Sequence, residues 1–227
     1  MIDTSCPFYK SLHSVGNFTD QELEEVLSYF KRKRIKKNRF VLQEGNLCLA
    51  DYFVVKGLLR KFHESDGKEH TTQFACEGCW ISDWAAQASG LPSEFNIEAL
   101  EETVVLIIST ADIQRLIAKS RKFESYYREE IKRGHILQEK RILCMQKQAQ
   151  QCYADFESMY GGLETRVSQT HIASFIGISR ESLSRLKNNA IKKIRNRDRK
   201  LDDSITQEHV NEERLGSLSE TQMVQAS

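Results

Sequence analysis

Hydrophobic and polar positions change their period twice along this chain of 227 residues. In residues 18–30, Leu23, Val26, Leu27 and Phe30 share one face at helical spacing, and Thr19 precedes them with Glu22 three residues on. That pattern predicts a capped amphipathic helix. From about 31 to 108 the texture becomes short runs of Val, Ile, Phe, Thr and Tyr, cut by turn signals. Tyr52-Phe53-Val54-Val55 and residues 103–108 read as buried strands, and Glu44-Gly45-Asn46 as a turn. Asp66-Gly67 joins two strand-like runs, 57–64 and 68–74, which predicts a hairpin. Short strands at this spacing point to a barrel or sandwich. After Ser109-Thr110 the helical period takes over: Ile113, Leu116 and Ile117 mark a short helix capped by Ser109 or Thr110. A longer helix runs from about Phe123 into the 140s and another follows to Tyr160, where Gly161-Gly162 break the pattern. Residues 163–167, LETRV, predict a short strand. Beyond Leu201 the chain is polar and acidic without periodicity, as in a flexible tail.

Residues 168–188, SQTHIASFIGISRESLSRLKN, have the arithmetic of a helix-turn-helix. Ile172, Phe175, Ile176, Ile178, Leu183 and Leu186 would seal the inner faces of two crossing helices, with Ala173 small at their close approach. Gly177 sits where a tight turn needs a positive backbone dihedral. The second helix turns Arg180, Glu181, Ser184 and Arg185 outward. Arg pairs twice with guanine and Glu accepts from cytosine, so this set suits a major groove. An amphipathic hairpin with a Gly turn is also an ordinary packing device. The joint pattern, with base-reading side chains gathered at the start of the second helix, favours DNA.

Composition sharpens that reading through its distribution. The chain carries 33 Lys and Arg against 32 Asp and Glu, yet residues 165–200 sum to +8 and residues 201–227 to −5. A basic block on the candidate reader is the footprint of phosphate neutralisation. No run approaches the roughly 18–20 apolar residues needed to span a bilayer, and no signal-peptide core opens the chain. Six scattered Cys without framework spacing predict reduced thiols, hence a soluble, cytoplasmic protein. The run KRKRIKKNR (31–39) reads as a basic surface strand with Ile35 inward, able to add long-range attraction to DNA.

A short helix, a β-roll, a long linking helix and a C-terminal helix-turn-helix make an order that resembles the Crp/Fnr family of bacterial transcription regulators, over residues 10–195. The specific match is QTHIASFIGISRESLSR (169–185); QEG (43–45), FVVKGLLRKF (53–62) and DGKEHTTQF (66–74) add looser support. The ending is similar to the short-winged regulators of Bacteroidetes. The resemblance implies an α+β fold with a cyclic-nucleotide-binding-like β-roll as sensor (1–120), a linking and dimerisation helix (121–145), a winged-helix-like DNA-binding domain (146–200) and the acidic tail (201–227). It implies palindromic operators on double-stranded DNA, a homodimer, RNA polymerase as a further partner, and no catalytic activity. Base contacts fall on Arg180, Glu181 and Arg185, or on Glu181, Ser184 and Arg185. Ser168, Gln169, Thr170, Ser179 and Ser182 lie near helix starts, where phosphates are held, and Lys187 with residues 192–200 would grip the backbone.

The sensor chemistry departs from the family. Nucleotide-binding members carry Gly-Glu for the ribose and Arg-Ser for the cyclic phosphate. Here Asp83 stands for the Glu, the arginine region reads Pro92-Ser93-Glu94-Phe95, and no basic residue occurs between Trp80 and Glu101. Without a cation an anion is hard to desolvate, so the expectation is against cyclic nucleotide and leaves the effector unnamed. An iron–sulfur cluster is not expected from Cys6 alone, nor haem from His63, His70 or His135, so no cofactor or metal is assigned. Cys76-Glu77-Gly78-Cys79 is a solitary CxxC, read as two ordinary thiols rather than a redox pair. Phe123, Tyr127, Ile131 and Leu137 offer an imperfect dimer stripe that Gly134 interrupts. The rival functions are a cyclic-nucleotide or small-ligand module acting through protein partners, and a thiol oxidoreductase built on Cys76 and Cys79.

Overall fold

The computed structural model describes residues 6–189, and the chain divides into two compact units between Arg180 and Glu181. In the first unit, helices α1 (Pro7–Val15) and α2 (Asp20–Ser28) precede eight strands. The capping box of α2 is present: Thr19 Oγ1 accepts from the Glu22 amide, and the Glu22 carboxylate accepts from the Thr19 amide at 2.7 Å. Helix α1 has no counterpart in the sequence pattern; Pro7 opens it and Phe8 and Leu12 are its buried side chains.

The strands are β1 (Lys31–Ile35), β2 (Phe40–Leu42), β3 (Ala50–Lys56), β4 (Leu59–Ser65), β5 (Lys68–Ala75), β6 (Trp80–Ile81), β7 (Asn96–Ala99) and β8 (Thr103–Ser109). A short helix, α3 (Trp84–Ser89), separates β6 from β7. The strands form two antiparallel four-stranded sheets, ordered β1-β8-β3-β6 and β2-β7-β4-β5. Strand side chains alternate between faces, and here both faces of the first sheet are covered. Tyr52, Val54 and Val105 enter one core cluster with Leu59, Ile97 and Ala99 of the second sheet. Phe53, Leu106 and Ile108 enter another with α1, α2 and the later helices. Double burial is why β3 and β8 read as continuous apolar runs. At the predicted hairpin, Asp66 (φ 51°) and Gly67 (φ 68°) both adopt positive φ between β4 and β5, as a two-residue hairpin turn requires. Gly57 (φ 103°) is also obligatory, since a Cβ there would lie 2.5 Å from Thr103 Oγ1. Strand β1 is an edge strand with Lys31–Arg34 exposed and Ile35 buried, and its charge discourages pairing with another sheet.

Beyond the sheets, α4 (Thr110–Lys119) is capped by Ser109, and α5 (Arg121–Met145) runs as one helix of 25 residues. Then come α6 (Ala149–Met159) and α7 (Gln169–Ile176). Two expectations fail here. Residues 163–167 are not a strand: Leu163–Thr165 form a 3₁₀ turn, with the amides of Arg166 and Val167 both donating to Leu163 O. Local bonds satisfy this backbone, so it has no need of a sheet partner. Six free thiols are not found either, because Cys144 and Cys152, both buried, are joined as a disulfide where α6 follows α5. Cys6, Cys48, Cys76 and Cys79 are free. No helix among the described residues is long and apolar enough to cross a membrane.

Candidate nucleic-acid interface and effector cavity

Helix α7 opens at Ser168, whose Oγ accepts from the His171 amide at 3.2 Å, and closes at Gly177 in the left-handed conformation (φ 82°). Gln169 and Thr170 are exposed on its first turn, while Ile172, Ala173, Phe175 and Ile176 are buried. Ser179 and Arg180 are exposed, and residues 180–189 are helical. Within the second unit Glu181 and Arg185 are exposed, Ser182, Ser184 and Lys187 are half-buried, and Leu183 is buried. Arg185 Nη2 donates to Ser182 Oγ at 3.3 Å, a weak tether one helical turn away. The charged side chains expected to read bases are therefore at the surface. Residues 192–200 and the acidic tail 201–227 lie outside the described residues.

One cation of the basic block is spent internally. Arg166 donates through both terminal nitrogens to Glu77 (2.9 and 3.0 Å) and reaches Glu101 at 2.6 Å. Its partners are 89 and 65 residues away, so the run of charge alone could not reveal them.

Helix α7 also covers the exposed edge of β5, an outer strand of the second sheet. Ser174 Oγ accepts from the Thr71 amide (2.9 Å) and donates to Glu69 O (2.6 Å), satisfying edge groups that a strand would otherwise need. Beneath, the rings of Phe74, Phe156, Tyr160 and Phe175 pack at centroid separations of 5.5–6.1 Å. Arg60 is buried in β4 nearby, bonded to Glu98 (2.9 Å) and Glu69 (2.6 Å). His171 faces this charge. Burial, assisted by Arg60, pushes its pKa down to about 4.

A cavity of about 490 Å³ lies between the second sheet, α3 and the outer half of α5. Trp84, Phe95, Ile131 and Ile142 give it apolar walls, and Lys61, Gln73, Gln138 and Arg141 give it polar ones. Cations do reach it, Lys61 from β4 and Arg141 from α5, rather than from the 80–101 stretch where the resemblance puts them. Lys61 is committed within the protein, donating to Ser82 O at 3.0 Å and Asp83 Oδ1 at 3.4 Å. Asp83 also accepts from Ser93 Oγ at 2.6 Å and caps α3 through the Ala86 amide. Burial lowers the Lys61 pKa, against the opposing pull of Asp83. Arg141 Nη2 donates to Thr71 O at 2.8 Å, and its guanidinium lies 5.5 Å from the Phe175 ring, while its buried Nε has no hydrogen-bond partner. Glu94 is exposed in the loop between α3 and β7.

Along α5, Phe123 and Tyr127 are spent in the core of their own chain, so the expected dimer stripe is not continuous. Ile131, Ile136, Ile142, Leu143 and Met145 are instead exposed, by 39–57%. Gly134 lies against Trp84; a Cβ there would meet the indole at 2.4 Å. The interruption in the heptad is thus the place where α3 packs against α5.

Residues 32–120 match the family described as the cyclic nucleotide-binding domain. No curated protein matches by sequence. Solved structures do match in fold. CooA of Carboxydothermus hydrogenoformans, as a double mutant, superposes with a TM-score of 0.63 at 19% identity, over 79% of this chain and 87% of that one. The c-di-GMP-responsive global regulator CLP of Xanthomonas campestris gives 0.62 at 14% identity, over 77% and 93%. A chain from Eubacterium rectale assigned to the Crp/Fnr family of transcriptional regulators gives 0.58 at 19% identity, over 78% and 85%. The β-roll is therefore of the cyclic nucleotide-binding type, and its structural neighbours include Crp/Fnr regulators.

Proposed function

We propose that this protein is a sequence-specific transcription regulator of the Crp/Fnr type, cytoplasmic and without catalytic activity, that binds palindromic DNA as a homodimer. The observation that carries the reading is the exposure of Arg180, Glu181 and Arg185 at the start of the helix that follows α7 and its left-handed Gly177. In this reading α7 and residues 180–189 form the helix-turn-helix. Arg180 and Arg185 read guanines, Glu181 selects against wrong bases, and Ser168, Gln169, Thr170, Ser179 and Lys187 fix register on phosphates. The exposed apolar residues of α5 form the surface that a second copy covers, and two half-sites supply the contact that one helix-turn-helix lacks.

The cavity against α5 is the effector site, and its occupant is not a cyclic nucleotide. Lys61, the cation beside Phe95 at 4.2 Å from its ring, is already paired with Asp83, and no basic residue of the 80–101 stretch itself is present to receive a cyclic phosphate. Calorimetry with cyclic AMP and cyclic GMP is expected to show no binding; clear micromolar heats would overturn that part. For the DNA reading, Arg185→Ala is expected to weaken a specific operator by about 1–3 kcal/mol while leaving random DNA little changed. Equal loss on both would show that Arg185 does not read bases.

A further inference from the structure

The solitary CxxC has a geometry that its spacing did not reveal. Cys76-Glu77-Gly78-Cys79 forms the turn between β5 and β6, closed by the Cys79 amide donating to Cys76 O at 3.0 Å. Gly78 supplies the positive φ of 85° at the third position, which a turn of this kind reserves for Gly or Asn. The last two residues of the turn are tied to β3: the Val54 amide donates to Cys79 O and the Gly78 amide to Val54 O, each at 2.9 Å. A closed β-turn holds its end Cα atoms within ~7 Å, which is the span a disulfide bridges. The two sulfurs lie 3.9 Å apart, so side-chain rotation brings them to bonding distance without moving the strands. Both residues are half-buried rather than sealed in the core, and both are free thiols.

The two thiols are also unequal. The hydrogen bond from the Cys79 thiol lowers the Cys76 pKa to about 7, against burial and the neighbouring Glu77 carboxylate. The same bond, together with burial, holds Cys79 protonated. That is the division of labour between an attacking and a resolving thiol.

We propose that Cys76 and Cys79 form a reversible thiol–disulfide site, oxidised by hydroperoxides, with Cys76 attacking and Cys79 resolving. In the first step the Cys76 thiolate attacks a peroxide oxygen. The S–O bond forms, the O–O bond breaks and hydroxide leaves from hydrogen peroxide, or the alkoxide from an organic hydroperoxide; the sulfur becomes a sulfenic acid as the peroxide is reduced by two electrons. In the second step the Cys79 sulfur attacks the Cys76 sulfur. The S–S bond forms, the S–O bond breaks, and the departing hydroxide leaves as water with the Cys79 proton. Glu77, which follows Cys76 in the turn, accepts from the Gly57 amide at 2.8 Å and holds Arg166, which places the turn one ion pair from the segment leading into α7.

The test uses the full chain, exposed to hydrogen peroxide, alkylated with iodoacetamide and mapped by mass spectrometry without reductant. The expected result is a peptide spanning Cys76 and Cys79 that has lost two hydrogens and takes up no alkyl group until dithiothreitol is added. Cys79→Ser should stop at a sulfenic acid on Cys76 that dimedone traps, and Cys76→Ser should leave Cys79 open to alkylation. Circular dichroism of both variants checks that they fold. The proposal is overturned if peroxide leaves both wild-type thiols alkylatable, or if Cys79 in Cys76→Ser oxidises as fast as in wild type.

Discussion

Gly134→Ala is the substitution through which the packing of the cavity wall is most directly tested. Glycine in the interior of a helix is about 1 kcal/mol worse than alanine, so α5 taken alone would gain stability from the change. The surroundings reverse the sign. The new methyl would lie 2.4 Å from Cζ3 and 2.7 Å from Cη2 of Trp84, whereas carbon atoms pack at ~3.5–4.0 Å. The indole must therefore retreat by about 1 Å. It is not free to do so, because Trp84 Nε1 donates to Asp51 Oδ2 at 3.1 Å. Asp51 is fully buried and also accepts from the Tyr127 hydroxyl at 2.5 Å and the Gln87 amide at 2.6 Å. Overpacking of this kind costs about 1–3 kcal/mol. Weakening a hydrogen bond to a buried carboxylate adds about 1–3 kcal/mol. After the helical gain, a net loss of about 1–5 kcal/mol is expected. Urea unfolding followed by far-ultraviolet circular dichroism measures it, as a lower midpoint at unchanged slope. A stronger check uses the Trp84→Phe background, where the shorter ring removes the overlap and Gly134→Ala should become neutral or stabilising. If Gly134→Ala matches or exceeds wild type in stability, the contact assigned to Trp84 and α5 is wrong.

Two further perturbations follow from the buried charges around β4 and α7. Arg60→Ala leaves the Glu98 carboxylate, only 13% exposed, without its cation, and should destabilise by about 3–5 kcal/mol in thermal or urea unfolding; a loss below ~1 kcal/mol would mean that water or another cation satisfies Glu98. His171 titrates near 4 in the folded chain and near 6.5 when unfolded, so the unfolded state takes up its proton first as pH falls. Its contribution is full above about pH 6.5 and is lost as pH drops through the window toward 4. His171→Gln should flatten the acid side of the Tm-versus-pH curve, and an acid limb identical to wild type would remove His171 from the account.

The strands and caps were legible because their determinants are local. Thr19 with Glu22, Ser109 ahead of α4 and Asp66-Gly67 each specify structure within a few residues. The double burial of β3 and β8 was legible as unbroken apolar character. What escaped depends on partners far along the chain. Arg60 and Lys61 look like an ordinary basic pair in a strand, yet their carboxylates come from Glu69, Glu98 and Asp83. Arg141 looks like a solvated helix residue, yet it reaches the cavity and the edge of β5. Phe123 and Tyr127 keep a helical period that suits a dimer seam, but tertiary packing claims them for the core. At the candidate DNA interface the outward side chains of a short helix follow from local periodicity: Arg180, Glu181 and Arg185 are exposed as expected, whereas Ser184 is half-buried.

Selection of fragments bound by the full chain from genomic DNA tests the central claim most directly. The expected result is enrichment of a palindrome with half-sites about one helical turn apart, lost when Arg180 and Arg185 are both replaced by alanine. Recovery of fragments with no shared motif, or of the same motif by the double variant, would contradict it.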